Sequence, residues 1–280
     1  MKKRILALVL AVTTACSISA CGGGDTDATA DNGGDSDVVK VKLGIVGEVS
    51  EQWDVIKDDL LAEGIDLEVI KFSDYSIPNQ ALADGEIDLN SFQHHAFLEN
   101  EVADKGLDLT VVGETLIAPL GLYSTSLTDI AQIKEGDKIA IPSDATNGGR
   151  SLKVLETAGF LTVDPAAGYT PVLSDITENP LNLEFIEVEA AQTPSLLPDV
   201  AAAIINGGHA VDNGLTPEND AIYLESGTEG GGNPYVNVLV ARADEVDNEV
   251  YKKILEAYQS DEVAEVFRDI YKGAYLPAWK

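Results

Sequence analysis

Segments typical of strands and helices alternate at short spacing through most of the 280 residues, and this alternation limits the possible folds more than any other feature. Residues 38–48 alternate apolar and polar side chains and then become continuously apolar, as expected of a strand entering a buried sheet. Ser50 is a candidate N-cap for a helix to about residue 63. Residues 66–72 and 109–117 predict further strands. The pattern predicts an α/β fold with doubly wound, mostly parallel sheets.

Two segments interrupt the alternation and predict crossovers between two lobes. Residues 118–123 (APLGLY) place proline and glycine inside an apolar run, and residues 235–242 (YVNVLVAR) follow a glycine-rich loop. We therefore predict a first lobe from residues 40–121 and 238–280, and a second lobe from residues 122–237.

Further helices are predicted near residues 129–134, from 146 to about 158, and twice near the C-terminus. The last of these places Ile270 on its apolar face. Residues 164–180 show no clear period, so their structure stays open at this stage.

The first 39 residues predict export and anchoring. Three basic residues precede a short apolar run, and residues 18–21 (ISAC) resemble the site at which bacterial lipoproteins are cleaved and lipidated. We predict a signal peptide over 1–20 and a lipid on Cys21, followed by a flexible linker to residue 39. A plain signal peptide with a coincidental cysteine is the alternative.

The formal charge of −30 would become −33 once the basic residues of the signal peptide are removed. Such a field disfavours nucleic acid and anionic lipid headgroups as partners of the mature body. It also raises the question of where a negatively charged ligand group could be held.

Residues 72–98 place aromatic side chains at the ends of two predicted strands. Tyr75 follows one strand, and Phe92 follows the next, with Phe97 soon after. Ligands of open α/β sheets bind at the carboxyl ends of the strands. We therefore predict that these rings line a cleft, with burial in an ordinary core as the alternative.

Arg150 lies in a turn, 145–152 (ATNGGRSL), that leads into a predicted helix with Thr146 as its candidate N-cap. A guanidinium beside helix N-terminal N–H groups forms a site for a carboxylate. Asn206 and Asn237 end or interrupt apolar runs, where an amide without a hydrogen bond would be costly. We treat these three residues as candidate ligand contacts, with a surface arginine and ordinary asparagines as the alternatives.

Metal binding and catalysis find less support. His94 and His95 could bind zinc with Glu99 and the distant His209, but adjacent histidines on a strand point to opposite faces. The sequence contains no familiar catalytic or phosphate-binding motif, and it predicts neither an enzyme nor a cofactor. A zinc-binding import protein and a surface enzyme on an amino-acid derivative remain alternatives.

A series of motifs carries a family resemblance. They include F-S-D-Y-x-x-P-N-x-A-L-x-x-G-E-I-D-x-N-x-F-Q-H from residue 72, I-P-S-D-A-T-N-G-G-R-S-L at 141–152, D-I-T-E-N-P at 175–180, A-I-I-N at 203–206 and Y-V-N at 235–237. With these motifs the chain resembles the NlpA-type methionine-binding lipoproteins of bacterial ABC importers. The resemblance covers the body from about residue 41 to the C-terminus.

The resemblance implies a two-lobed, periplasmic-binding-protein-like fold and a lipid-anchored protein on the outer face of the cell membrane. It implies that L-methionine, or a close relative, is delivered to a permease driven by an ATPase. The residues that the resemblance places around the thioether are Tyr75, Phe92, His94 and Phe97, and those that it places at the charged end are Asn147, Arg150, Asn206 and Asn237.

Four positions depart from the usual family pattern: Ala96, Phe97, Ser143 and His209. Because these changes touch the rim of the implied pocket, a methionine-containing dipeptide or another small apolar amino acid stays open as the ligand.

Overall fold

A computed structural model describes residues 38–226 and 232–280. The predicted signal peptide, Cys21 and almost all of the predicted linker therefore lie outside the described residues, as does part of the glycine-rich loop. Among the residues that are described, no helix is long and apolar enough to cross a membrane.

The described strands follow the chain in this order: β1 Val39–Val46, β2 Ile65–Phe72, β3 Leu89–Asn90, β4 Leu109–Ile117, β5 Gly121–Tyr123, β6 Lys138–Pro142, β7 Thr162–Val163, β8 Ile176–Glu178, β9 Glu184–Val188, β10 Ala202–Ile205, β11 Ala221–Leu224, β12 Val236–Arg242 and β13 Leu276–Pro277. The described α-helices are α1 Glu51–Asp54, α2 Lys57–Ala62, α3 Pro78–Ala83, α4 His95–Lys105, α5 Ala145–Thr157, α6 Gly207–Asp212, α7 Pro217–Asp220, α8 Glu249–Tyr258 and α9 Asp261–Val266. Short 3₁₀ turns occur at Ile130–Gln132, Pro165–Ala167, Leu173–Asp175, Ala190–Leu196 and Ala243–Glu245, and a π-helical turn at Phe267–Tyr271.

The strands form two main sheets and one small hairpin. The first sheet has the order β13-β4-β12-β3-β1-β2, and the second has the order β11-β5-β10-β6-β9. The hairpin pairs β7 with β8, within the segment 164–180 and the residues just before it. Two connections join the main sheets, one between β4 and β5 and the other between β11 and β12.

Both sheets are mixed, so the prediction of mostly parallel pairing is wrong in this detail. Strand β1 pairs in parallel with β2 and β3, and β6 pairs in parallel with β9 and β10. The pairs that involve β12 or β5 are antiparallel. These strands adjoin the connections between the sheets, where the chain returns without the helical crossover that parallel pairing requires.

Each main sheet has an apolar core on both faces, as a doubly wound sheet requires. In β12, Val238 and Val240 pack with α3 and α4, whereas Leu239 and Ala241 pack with α1, α8 and α9. In β10, Ala202 and Ile204 likewise belong to a different core cluster from Ala203 and Ile205. Because successive strand residues point to opposite faces, this division places helices on both sides of each sheet.

Several local predictions need correction. The helix expected after Ser50 is split into α1 and α2, and the Ser50 hydroxyl bonds the Asp54 carboxylate (2.9 Å) instead of capping a backbone N–H. The helix expected at 129–134 is only the 3₁₀ turn Ile130–Gln132. The cap of α5 is Asp144 and not Thr146. Ile270 lies in the π-helical turn and is 46% exposed, because the widened turn rotates it out of the apolar face.

Candidate functional site

A cavity that is partly open to solvent lies between the two main sheets, and we call it the central cavity. Residues that follow strand ends supply much of its lining: Phe92 follows β3, Asn147 lies in the first turn of the helix after β6, and Asn206 follows β10. The carboxyl ends of parallel strands therefore meet here, which is the usual position of a ligand site in this class of fold.

One side of the central cavity is an aromatic wall, formed by Tyr75, Phe92 and Phe97. The ring centroids are 5.8 Å apart for Tyr75 and Phe92, 6.0 Å for Tyr75 and Phe97, and 5.8 Å for Phe92 and Phe97. Separations in this range are typical of favourable ring contacts. The three rings therefore support one another and present a continuous apolar surface.

A buried amide network lies behind the aromatic wall. The side chains of Asn79, Asn90 and Gln93 are joined by four hydrogen bonds of 2.6–2.9 Å. These side chains are at most 2% exposed, so the mutual bonds offset the cost of burying the amides. Because Gln93 lies between Phe92 and His94, the network holds both neighbours in place.

His94 caps helix α4 and His95 is its first residue, so the two histidines do not lie together on one strand. Its Nδ1 accepts a hydrogen bond from the backbone N–H of Phe97 (3.1 Å), which leaves the proton of the neutral ring on Nε2. Nε2 is buried and has no hydrogen-bond partner among the described residues. Burial and the positive charge of Arg150 lower the pKa of His94 to about 3. At neutral pH this ring is therefore uncharged, and its Nε2–H is a buried donor near the Asn147 side chain.

The opposite side is a polar wall, formed by Asn147 and Asn206, with the Arg150 guanidinium buried behind it. The Asp144 carboxylate accepts hydrogen bonds from the backbone N–H (2.8 Å) and the side-chain amide (3.0 and 3.1 Å) of Asn147. The Asn147 Oδ1 in turn accepts from the Asn206 amide at 2.8 Å. Asn206 Oδ1 is left buried and without a partner in the described part of the chain. The wall therefore offers an acceptor next to a guanidinium.

Arg150 is 1% exposed, and most of its hydrogen-bonding capacity is used within the protein. Its Nε and Nη2 bond the two carboxylate oxygens of Glu225, at 2.9 and 2.5 Å, and Nη2 also bonds the Ala118 carbonyl at 3.0 Å. The Tyr235 ring centroid lies 4.3 Å from its Cζ. Contacts within the protein therefore occupy Nε and Nη2, and Nη1 is the nitrogen outside these bonds.

Two further residues contribute to the cavity: His209, which the sequence placed only at the rim of the implied pocket, and Tyr275, which sequence reasoning missed. His209 lines it and lies 4.9 Å from the Tyr75 ring, between centroids. Its Nε2 is buried and unpartnered among the described residues, and burial lowers its pKa to about 4. Tyr275 also lines the cavity, and a Cβ at Gly208 would lie 2.7 Å from its hydroxyl oxygen. The sequence signal for His209 was Asn206-Gly-Gly-His, which comes directly after an apolar strand.

The eight predicted site residues thus converge on one region. Tyr75, Phe92, Phe97, Asn147, Asn206 and Asn237 line the central cavity, while His94 and Arg150 lie buried behind the lining. Backbone pairing between His94 and Asn237 joins the two ends of this group. Their role in binding a ligand stays a prediction.

The residues considered for the alternative zinc site do not come together in the described part of the chain. His95 Nε2 lies 3.4 Å from the Glu114 carboxylate, away from His94. Within residues 38–226 and 232–280, no cluster of three histidine, cysteine, aspartate or glutamate side chains is placed to hold a metal ion.

Comparison with known proteins agrees with this geometry. The family model described as NlpA lipoprotein matches residues 41–279. The D-methionine-binding lipoprotein MetQ of Salmonella typhimurium is 36% identical over 282 residues, covering 99% of each chain. A nutrient binding protein from Burkholderia cenocepacia, solved bound to methionine, is 39% identical with a TM-score of 0.80, covering 85% of this chain and 99% of its own.

A crystal structure of the methionine binding protein MetQ is 38% identical with a TM-score of 0.81, covering 86% of this chain and 98% of its own. These likenesses confirm the predicted α/β fold of the two-lobed binding-protein type. With a family match over residues 41–279 and relatives this similar over nearly their whole length, the chain belongs to the NlpA lipoprotein family.

Proposed function

We propose that this protein is the extracytoplasmic substrate-binding lipoprotein of an ABC importer, and that it binds methionine in the central cavity. The observation that carries the proposal is the pairing of an aromatic wall with a polar wall that contains unpartnered buried groups. An amino acid with an apolar side chain has the same two-ended character. The relatives named for methionine binding support the choice of ligand.

The aromatic wall receives the thioether side chain. Sulfur makes favourable contacts with aromatic rings, and the unbranched methionine side chain adapts to irregular apolar surfaces. Tyr75, Phe92 and Phe97 supply these contacts. The pKa of Tyr75 is raised well above its usual value by burial, so its hydroxyl stays neutral and adds no charge to this end of the cavity.

The polar wall receives the charged end of the ligand. Arg150 Nη1 and the Nε2–H of His94 are the donors for the carboxylate, since neither takes part in the hydrogen bonds described above. Asn206 Oδ1 is the acceptor for the ammonium group. Asn237, near the start of β12, also lines the cavity and completes the set. Each group was costly to bury alone, so a zwitterionic ligand that pairs with them gains affinity.

We further propose that the lobes, 40–121 with 238–280 and 122–237, close around the ligand by bending at the two connections. The lipid on Cys21 would hold the protein at the outer face of the cell membrane, close to the permease and ATPase that receive the methionine. Family membership supports this arrangement.

Calorimetric titration of the purified full-length protein in detergent tests the proposal. L-Methionine should bind with one site per chain, and alanine should bind far more weakly because it leaves the aromatic wall uncovered. D-methionine, glycyl-methionine and ZnCl₂ are titrated in parallel. Binding of zinc without methionine, or turnover of an amino-acid derivative, would overturn the proposal.

Membrane fractionation of Cys21→Ala tests the predicted lipid anchor. The anchor prediction is wrong if the variant stays with membranes after a salt wash.

A further inference from the structure

The buried ion pair of Arg150 and Glu225 lies where the two connections between the sheets meet. Arg150 belongs to α5 in the second-sheet half of the molecule, and its Nη2 bonds the Ala118 carbonyl in the first connection. Glu225 is the first residue after β11, at the start of the second connection. The side chains are 2% and 11% exposed. One guanidinium therefore contacts both connections.

Glu225 strengthens this junction with its own backbone and side chain. Its Oε2 accepts a hydrogen bond from the Leu120 N–H at 2.9 Å, and its backbone N–H donates to the Leu120 carbonyl, also at 2.9 Å. The carboxylate is therefore fixed from the first connection as well as from Arg150. This position leaves it little freedom to rotate away.

The two bonds from Glu225 also determine how Arg150 is oriented behind the lining of the central cavity. A carboxylate that bonds Nε and Nη2 together fixes the plane of the guanidinium, because both contacts are made in that plane. Nη1 is then held at the opposite corner of the group. In addition, the negative charge of Glu225 compensates a buried cation, which would otherwise be strongly destabilising before a ligand arrives.

We infer that Glu225 is a positioning residue for ligand binding: it holds the Arg150 guanidinium so that Nη1 meets the carboxylate of the ligand. This inference rests on the proposed function of Arg150. Glu225 acts through Arg150 and does not touch the ligand. The same ion pair also links the proposed carboxylate contact to both connections, because Arg150 bonds Ala118 in the first connection and Glu225 in the second.

A glutamate is the side chain that these contacts require. Glutamine at position 225 keeps the length but offers one acceptor, and its NH₂ group would face a guanidinium N–H. Aspartate keeps the charge but is shorter by one methylene, about 1.5 Å, and cannot bond Leu120 and Arg150 at once. Both substitutions should misplace Arg150, each for a different reason.

A thermodynamic cycle in methionine affinity tests the inference. Glu225→Gln, Arg150→Met and the double variant are titrated with L-methionine, after circular dichroism has shown that each is folded. Glu225→Gln should weaken binding by about tenfold or more in the native background, and by less than about twofold once Arg150 is methionine, because residues that act through one contact are not additive. Glu245→Gln, which removes the partner of Arg242 elsewhere, is the matched control and should leave affinity unchanged.

Equal losses in both backgrounds would assign Glu225 a purely structural role and overturn the inference. Native methionine affinity in Glu225→Gln would also overturn the inference. Glu225→Asp keeps the negative charge and provides the test if the glutamine variant does not fold: it should also weaken binding, and native affinity would be contrary to the inference. If Arg150→Met itself binds methionine as tightly as the native protein, the proposed carboxylate contact fails and not merely the role of Glu225.

Discussion

The aromatic wall and the polar wall of the central cavity are built on different principles. Tyr75, Phe92 and Phe97 contact one another and rest on neutral amides whose hydrogen bonds are mutually satisfied. The polar wall holds a buried charge and leaves Asn206 Oδ1 without a partner. The first wall is complete without a ligand, whereas the second is not. From this difference we expect shape to select the side chain of the ligand, and the charged end to contribute most of the affinity.

The largest expected effect is on the polar wall. Arg150→Met removes the cation that we propose pairs with the ligand carboxylate, and loss of one partner of a buried charged pair costs roughly 2–5 kcal/mol, or about thirtyfold to several thousandfold in affinity. Calorimetry with L-methionine measures this loss. Arg150→Lys should not restore native affinity, because lysine lacks the planar fork that Glu225 holds.

Arg268 provides the matched control for this substitution. It is largely exposed and pairs with its neighbour Asp269, so Arg268→Met should leave affinity unchanged. If Arg150→Met binds methionine with native affinity and circular dichroism shows an intact fold, Arg150 is not part of the site. The polar wall would then not be the larger contributor to affinity.

The next effect concerns the aromatic wall. Tyr75→Ala removes a ring that contacts Phe92, Phe97 and His209, so the thioether loses apolar contact worth about 1.4 kcal/mol, or roughly tenfold in affinity. Alanine, whose side chain does not reach the wall, serves as the internal control and should bind the variant as it binds the native protein. Equal losses for both amino acids would show that the ring acts on the charged end instead.

A smaller effect on affinity is expected behind the aromatic wall. Asn79→Ala leaves Asn90 and Gln93 with unsatisfied buried groups, which should lower the free energy of unfolding by about 1–3 kcal/mol. Urea denaturation measures this, and methionine affinity should fall less than in Tyr75→Ala. Asn100→Ala, at an exposed bond to Asp104, is the control. Unchanged stability in Asn79→Ala would show that the network does not support the wall.

Much of this architecture could be predicted from the sequence because it depends on local patterns. Strand β4 was bounded correctly, and the strand ends that carry Tyr75 and Phe92 follow from periodicity and turn residues. Pro78 begins α3 as its missing N–H allows. These features are encoded within a few residues of where they act.

The remaining features depend on contacts between distant residues. Nothing near Arg150 reveals that Glu225, 75 positions later, occupies two of its nitrogens. The pairing of β5 and β12 with strands of opposite direction is likewise set by how the chain returns between the sheets. The capping role of His94 was missed because two adjacent histidines after a strand-like run suggest a continued strand.

The smallest expected effect on affinity is that of pH, and it follows from the two buried histidines. The pKa of His94 is about 3 and that of His209 about 4, both lowered chiefly by burial, so both rings stay neutral in the folded protein well below pH 6. Methionine keeps its zwitterionic form over the same range. Affinity should therefore change by less than about twofold between pH 7.5 and 5.5, with neither wall gaining charge.

The free energy of unfolding, in contrast, should fall as the pH is lowered from 7.5 to 5.5. An unfolded histidine titrates near pH 6.5, so below that pH the unfolded chain binds protons that the folded protein does not. Each histidine then lowers the free energy of unfolding by up to about 1.4 kcal/mol per pH unit until its folded pKa is reached, and contributes nothing above pH 6.5. Urea denaturation at pH 7.5 and 5.5 should show a smaller decrease for His209→Gln than for the native protein. A tenfold loss of methionine affinity centred near pH 6 would instead show that an imidazole becomes charged within the folded site, and that the aromatic side of the cavity is not neutral.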